Sequence, residues 1–133
     1  MTDDLVQWLV EQFNEDERIA RQAGNRRWLV QDNTIELYPE REDDGFMSWP
    51  TRADARHAAN WDPARVLREI DAKRQWFDEH QDVNDGSCGT CVDGQWGYPT
   101  HGGSSPQRFP CRTLRLLALP YADRPGYREE WRP

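Results

Sequence analysis

Apolar positions along the chain change period several times, and each change marks an element. Leu5, Trp8, Leu9, Ile19, Ala20 and Ala23 fall near helical spacing. They predict one amphipathic helix of about twenty residues, because the polar run Asn14–Arg18 contains no proline to break it. Thr2 or Asp3 can cap its start, Asp3 and Asp4 suit the positive end of its dipole, and Gly24 supplies the stop. Residues 27–49 read differently. Trp28-Leu29-Val30, Thr34-Ile35-Glu36-Leu37-Tyr38 and Phe46-Met47-Ser48-Trp49 are short β-type runs, separated by Gln31-Asp32-Asn33 and by the acidic loop Glu40–Gly45. They predict a small antiparallel meander with one face packed on helices, since so few strands are marginal alone in water.

Thr51–Asn60 carries a short helical turn. Asp62-Pro63 then gives a helix start, with Asp as N-cap and Pro where its missing N–H costs nothing. This helix is expected to run to about His80, with Val66, Ile70 and Phe77 as its apolar stripe, Leu67 and Trp76 flanking it, and Glu69/Lys73 as an i,i+4 pair. Residues 81–110 hold mostly loop signals. Cys111, Leu114, Leu117, Ala118 and Tyr121 again form one helical stripe, which Pro120 should end near Leu119. A final turn, Pro125–Trp131, should dock back through Tyr127 and Trp131.

Thirty residues of loop inside a compact domain require a cross-link, and the residues at its borders offer one. Cys88-Gly-Thr-Cys91 is a C-x2-C pair whose spacing lets two thiolates meet one metal in a tight turn. His80 closes the helix before the loop, and Cys111 opens the helix after it, where the dipole favours a thiolate. The pattern H-x7-C-x2-C-x19-C therefore predicts a structural zinc held by His80, Cys88, Cys91 and Cys111. His101 is the alternative fourth ligand; His80 is favoured because it lies on a rigid element, whereas His101 sits in the Gly/Ser-rich run Thr100–Ser105. Four protein ligands leave no open position for substrate, so the zinc is read as structural rather than catalytic. The resulting expectation is an α+β fold: an N-terminal helix, a small antiparallel β-meander and two further helices joined by a zinc-stapled loop, all in one domain over 1–133.

Composition narrows the function. The chain of 133 residues carries a formal net charge of -7. Residues 1–50 hold twelve acidic side chains against five arginines, while the remainder is balanced. That excess disfavours non-specific phosphate binding, which depends on basic side chains displacing counterions. Seven tryptophans argue against a disordered chain, since each indole can bury a large apolar area. No run of apolar residues is long enough to cross a bilayer. Met-Thr-Asp-Asp has the wrong sign for a secretory leader, so a cytoplasmic protein is expected, without a membrane role. Three cysteines cannot pair completely, and a reducing compartment argues against even one bridge. Sequence signatures of nucleophile elbows, Walker loops, dinucleotide folds and zinc proteases are all missing.

The stretches Asp62-Pro-Ala-Arg-Val-Leu-Arg-Glu-Ile-Asp-Ala-Lys-Arg74, Pro110-Cys-Arg-Thr-Leu-Arg-Leu-Leu-Ala-Leu-Pro-Tyr-Ala-Asp123 and Pro125-Gly-Tyr-Arg-Glu-Glu-Trp131, with the knuckle between the first two, resemble an uncharacterised family of small actinobacterial and actinophage proteins. The similarity extends to the opening helix, Asp3 to Ala20, and is only general over 27–60 and 92–109. The resemblance implies a histidine ending the DPARVL helix, a C-x2-C and a Pro-Cys opening the last helix, which map to His80, Cys88, Cys91, Pro110 and Cys111. It implies no known activity. Among function classes, a protein-interaction or regulatory module with an acidic face ranks first. A nucleic-acid-binding zinc protein using Arg108, Arg112 and Arg115 is the alternative, and an enzyme is third.

Overall fold

The structure is a computed structural model that describes residues 4–45, 47–93 and 105–133. It is a mixed α+β fold with the element order helix α1 (Asp4–Gln22), strands β1 (Arg27–Gln31), β2 (Thr34–Tyr38) and β3 (Met47–Ser48), helices α2 (Arg52–Asn60) and α3 (Pro63–Glu79), strands β4 (Asp82–Val83), β5 (Ser87–Asp93) and β6 (Ser105–Arg108), and helix α4 (Arg112–Ala118). The chain divides into two compact units, one made of residues 1–13 and 72–133 and the other of residues 14–71. No helix among the described residues is long and apolar enough to cross a membrane.

In the 14–71 unit the expected meander is present as an antiparallel sheet in the order β1-β2-β3. Gln31 pairs with Thr34, which leaves Asp32-Asn33 as a two-residue hairpin turn, and Asp32 takes the positive φ of 60° that such turns demand. Helix α2 packs on β1 and β2, with Ala55 fully buried so that the backbones can approach. This helix is longer than the short turn its sequence suggests. Thr51 caps it by accepting the Asp54 N–H at 3.1 Å and donating to the Asp54 carboxylate at 2.8 Å. Three alanines (Ala55, Ala58 and Ala59) then carry it on at little entropic cost.

Asp62 caps α3 as its sequence predicts, accepting the Arg65 N–H at 2.8 Å. Its second oxygen accepts the Trp28 N–H at 3.0 Å, so one buried carboxylate satisfies donors on β1 and α3 together. Asp62→Ala is expected to lower the stability of this unit by about 2 kcal/mol, because a cap is lost and a strand N–H is left unpaired. Urea denaturation followed by tryptophan fluorescence measures this, and an unchanged midpoint would contradict the double role.

The acidic loop after β2 is pinned rather than free. Arg26 grips Asp44 bidentately, at 2.7 and 2.9 Å, and also donates to the Pro39 carbonyl. The Arg26 guanidinium, followed by the Arg41 N–H, holds the Asp44 carboxyl below its ordinary range. A carboxyl whose folded value is depressed stabilises the fold above its unfolded pKa and loses that contribution as pH falls through the folded value. Asp44→Asn is therefore expected to flatten the acid limb of the stability–pH profile and to leave its neutral limb with the same slope.

The unit of residues 1–13 and 72–133 is built on aromatic packing. Leu5, Trp8, Leu9 and Phe13 of α1 are buried, as are Leu114, Leu117 and Ala118 of α4 and Tyr121 and Trp131 beyond it. The Trp8 ring lies 5.4 Å from Trp131, 5.7 Å from Tyr127 and 6.5 Å from Tyr121. Phe13 stands edge-on to both Phe77 and Tyr121. Pro120 ends α4 as expected, and a 3-10 turn, Leu119–Tyr121, follows. The terminal turn docks through Tyr127 and Trp131, also as expected.

Three sequence expectations change. Residues 81–110 are not only loop: among the described residues they form a second antiparallel sheet, ordered β4-β5-β6. Asn84 and Asp85 at positive φ and Gly86 at 131° make the β4–β5 turn, and Asp82 accepts the Gly86 N–H at 2.6 Å. Turn residues dominate the composition there and mask the short strands between them. The expected Glu69/Lys73 pair is not how those residues are used, since Glu69 pairs with Arg65 at 3.5 Å and Lys73 donates to the Tyr121 hydroxyl at 3.0 Å. The tryptophans also divide: Trp8 and Trp131 are buried, whereas Trp61 and Trp76 are more than half exposed.

Candidate metal centre

His80 follows the last residue of α3, with its N–H bonded to the Phe77 carbonyl at 3.1 Å, so the imidazole is carried at a fixed helix end. Cys88 and Cys91 lie on β5, and Cys111 is the N-cap residue of α4 in extended conformation. His80 and the three cysteines belong to the same compact unit. The knuckle is shaped by its own backbone: the N–H groups of Thr90 and Cys91 both point at Cys88 Sγ, each at 3.4 Å. Thr90 ties the knuckle to the helix end by donating its hydroxyl to the Glu79 carbonyl.

The four side chains predicted from spacing are brought together, with their ligand atoms all within 4.8 Å of one another. His80 Nδ1 is 3.5 Å from Cys88 Sγ, 3.3 Å from Cys91 Sγ and 3.5 Å from Cys111 Sγ. His80, Cys88 and Cys111 are buried, Cys91 is half-buried, and no disulfide joins the cysteines. An imidazole nitrogen carries either one hydrogen or one lone pair, so it cannot hydrogen-bond three sulfurs at once. Near-equal distances to all three are instead those of donors focused on a common point.

Electrostatics point the same way. Burial pushes the Cys111 thiol up to about 12, helped by the neighbouring Cys88 and Cys91 and opposed by the Leu114 N–H. Burial also raises Cys88, but the Cys91 and Thr90 N–H groups and the adjacent thiols outweigh it and bring that thiol below its ordinary value. Three thiolates packed this closely would repel one another, and a cation among them would offset that cost. The donor set thus fits a metal ion.

His101 lies outside the described residues; among the described ones, His80 is the histidine that stands beside the sulfurs. Thr113, which spacing did not single out, places its hydroxyl 3.5 Å from Cys91 Sγ. Its position two residues beyond Cys111, on the first turn of α4, is the signal that could have found it. Arg108 and Arg112 are exposed on either side of Cys111. Arg115 is half-buried and reaches the Arg132 carbonyl at 3.4 Å.

Neither a curated protein nor a solved structure matches this chain. A family profile does, over residues 2–133, nearly its whole length. On that match the chain belongs to the family of unknown function DUF6221.

Proposed function

We propose that His80, Cys88, Cys91 and Cys111 hold one structural Zn2+, and that the protein is a zinc-stapled interaction or regulatory module. The observation that carries the zinc reading is the placement of one imidazole nitrogen 3.3–3.5 Å from three sulfurs. In a tetrahedral site with the usual Zn–S and Zn–N bond lengths, the N···S edge is about 3.6 Å. Three thiolates and one imidazole complete the usual four-coordinate shell of a structural site, and soft sulfur donors favour zinc over magnesium or calcium. A cytoplasmic setting, where thiols stay reduced, accords with the free cysteines.

The partner is proposed to be a protein with a basic surface. Support comes from the acidic excess of residues 1–50, including the exposed Glu11, Glu40, Glu42 and Asp43. A second reading, nucleic-acid binding, draws on the exposed Arg108 and Arg112 beside Cys111. Retention on immobilised duplex DNA across a salt series separates the two. Binding that falls steeply with salt and is lost in an Arg108→Ala/Arg112→Ala variant would favour nucleic acid.

Elemental analysis of native-purified protein tests the metal reading. One equivalent of zinc per chain is expected, with none in a Cys111→Ser variant. Metal-free wild-type protein with three titratable thiols would refute the reading.

A further inference from the structure

The three sulfurs are not equally sheltered. Cys88 and Cys111 are 3% and 0% exposed, whereas Cys91 is half-buried. Cys91 also belongs to the same tight turn as Cys88, since its N–H points at Cys88 Sγ at 3.4 Å. These two sulfurs lie three residues apart on one strand and can meet by local movement of β5, while a bond to Cys111, whose sulfur lies within the same 4.8 Å cluster, would join β5 to α4. Thiolates are oxidised where an oxidant can reach them, and a neighbouring thiolate then closes the bridge.

Resting on the metal reading above, we propose that Cys91 is the sulfur through which a peroxide opens the site, closing a Cys88–Cys91 disulfide and releasing the metal ion. In the first step the Cys91 thiolate attacks one peroxide oxygen. An S–O bond forms, the O–O bond breaks, and hydroxide leaves, giving a sulfenic acid. In the second step the Cys88 thiolate attacks the Cys91 sulfur, an S–S bond forms, and the sulfenic oxygen departs as hydroxide. Two thiolates lose two electrons, the peroxide gains them, and two protons from solvent turn the hydroxides into water. The site has then lost two of its four donors. Cys111 at the start of α4 and His80 at the end of α3 then lose their metal link to β5, while the Thr90 hydroxyl still ties the knuckle to the Glu79 carbonyl. This makes the staple a redox-sensitive latch.

The test uses the full chain as purified, with its native metal. Hydrogen peroxide is added in the presence of a colorimetric zinc chelator, and samples are taken for intact-mass and peptide mapping. Release of one equivalent of zinc is expected alongside the loss of two hydrogens, mapped to a Cys88–Cys91 bridge and reversed by dithiothreitol with added zinc. Under limiting peroxide, a sulfenic-acid trap should label Cys91 before either other cysteine. A Cys91→His variant keeps four donors but offers no reactive sulfur at that place, and should release zinc at least about tenfold more slowly. First labelling at Cys88 or Cys111, wild-type release rates in Cys91→His, or zinc retained through peroxide treatment would overturn the latch and leave the metal reading standing. Protein that holds no zinc before treatment would overturn both. If Cys91→His does not load zinc, the order of labelling in the wild-type chain decides alone.

Discussion

A Cys111→Ser variant is expected to lose more than about 3 kcal/mol of stability in the unit that contains α4, and wild-type protein stripped by a chelator should fall to the same level. Cys111 is fully buried at the point where α4 begins, and its sulfur faces the His80 nitrogen that Cys88 and Cys91 also face. Metal binding in such a cluster is folding free energy, because the unfolded chain has no preformed site. Apparent values of about 10–16 kcal/mol are seen in zinc-finger peptides that have little else to fold around. This unit also has an aromatic core around Trp8, so the loss should be partial and the unit should loosen rather than dissolve. The measurement is a pair of urea titrations, with and without chelator, read by near-ultraviolet circular dichroism. Superimposable wild-type and Cys111→Ser curves would remove the staple from the account of stability. A chelator effect that persists in Cys111→Ser would place the metal elsewhere.

The second large effect is expected at Gly126. Its φ of +90° lies in the left-handed region, and a Cβ built there would stand 2.8 Å from Trp8 Nε1 and 3.1 Å from Trp8 Cδ1. The indole cannot simply move aside. Tyr121, Tyr127 and Trp131 surround it, and its N–H donates to the Pro125 carbonyl at 3.0 Å, one residue before the glycine. Gly126→Ala therefore combines a backbone penalty of about 1 kcal/mol with an overpacking penalty of about 1–3 kcal/mol. Gly24 provides the internal control. It also has positive φ, at +100°, but the nearest atom to an added Cβ is the Arg26 side chain at 3.5 Å, which is ordinary contact. Gly24→Ala should show the backbone term alone. Thermal melts of the two variants decide the matter: equal losses would mean that the close approach to Trp8 carries no weight.

The aromatic cluster also explains how a chain with so polar a composition keeps a core. Only part of its tryptophan content is used for burial. Trp8 and Trp131 fill the unit of residues 1–13 and 72–133, while Trp61 lies open with the Arg65 guanidinium 4.2 Å from its ring centroid. Counting tryptophans therefore overstates the buried area. What the cluster needs is that α1, the turn after α4 and the terminal turn each present an aromatic ring to the same place.

Much of this protein was legible in one dimension, and for a common reason. Helix α1, the hairpin of β1 and β2, the Asp62-Pro63 start of α3 and the Pro120 stop of α4 all follow from interactions within a few residues: periodic burial, turn chemistry, caps and a missing N–H. The cluster of His80, Cys88, Cys91 and Cys111 was legible too, because a C-x2-C spacing keeps two sulfurs on one short segment and the other two residues stand at helix ends. Tertiary structure decided the rest. The strands between 81 and 110 are short and rich in turn residues, so their order β4-β5-β6 comes from pairing across the sheet. Lys73 donates to the hydroxyl of the buried Tyr121, forty-eight residues away, rather than pairing with Glu69 on its own helix. Gly126 is required by Trp8 at the other end of the sequence. Sequence spacing names the four donors at the centre, but only the folded chain sets one His80 nitrogen against three sulfurs and leaves Cys91 the least sheltered of them. Local rules act over one or two turns of chain, and burial is settled by what distant segments bring to the same point.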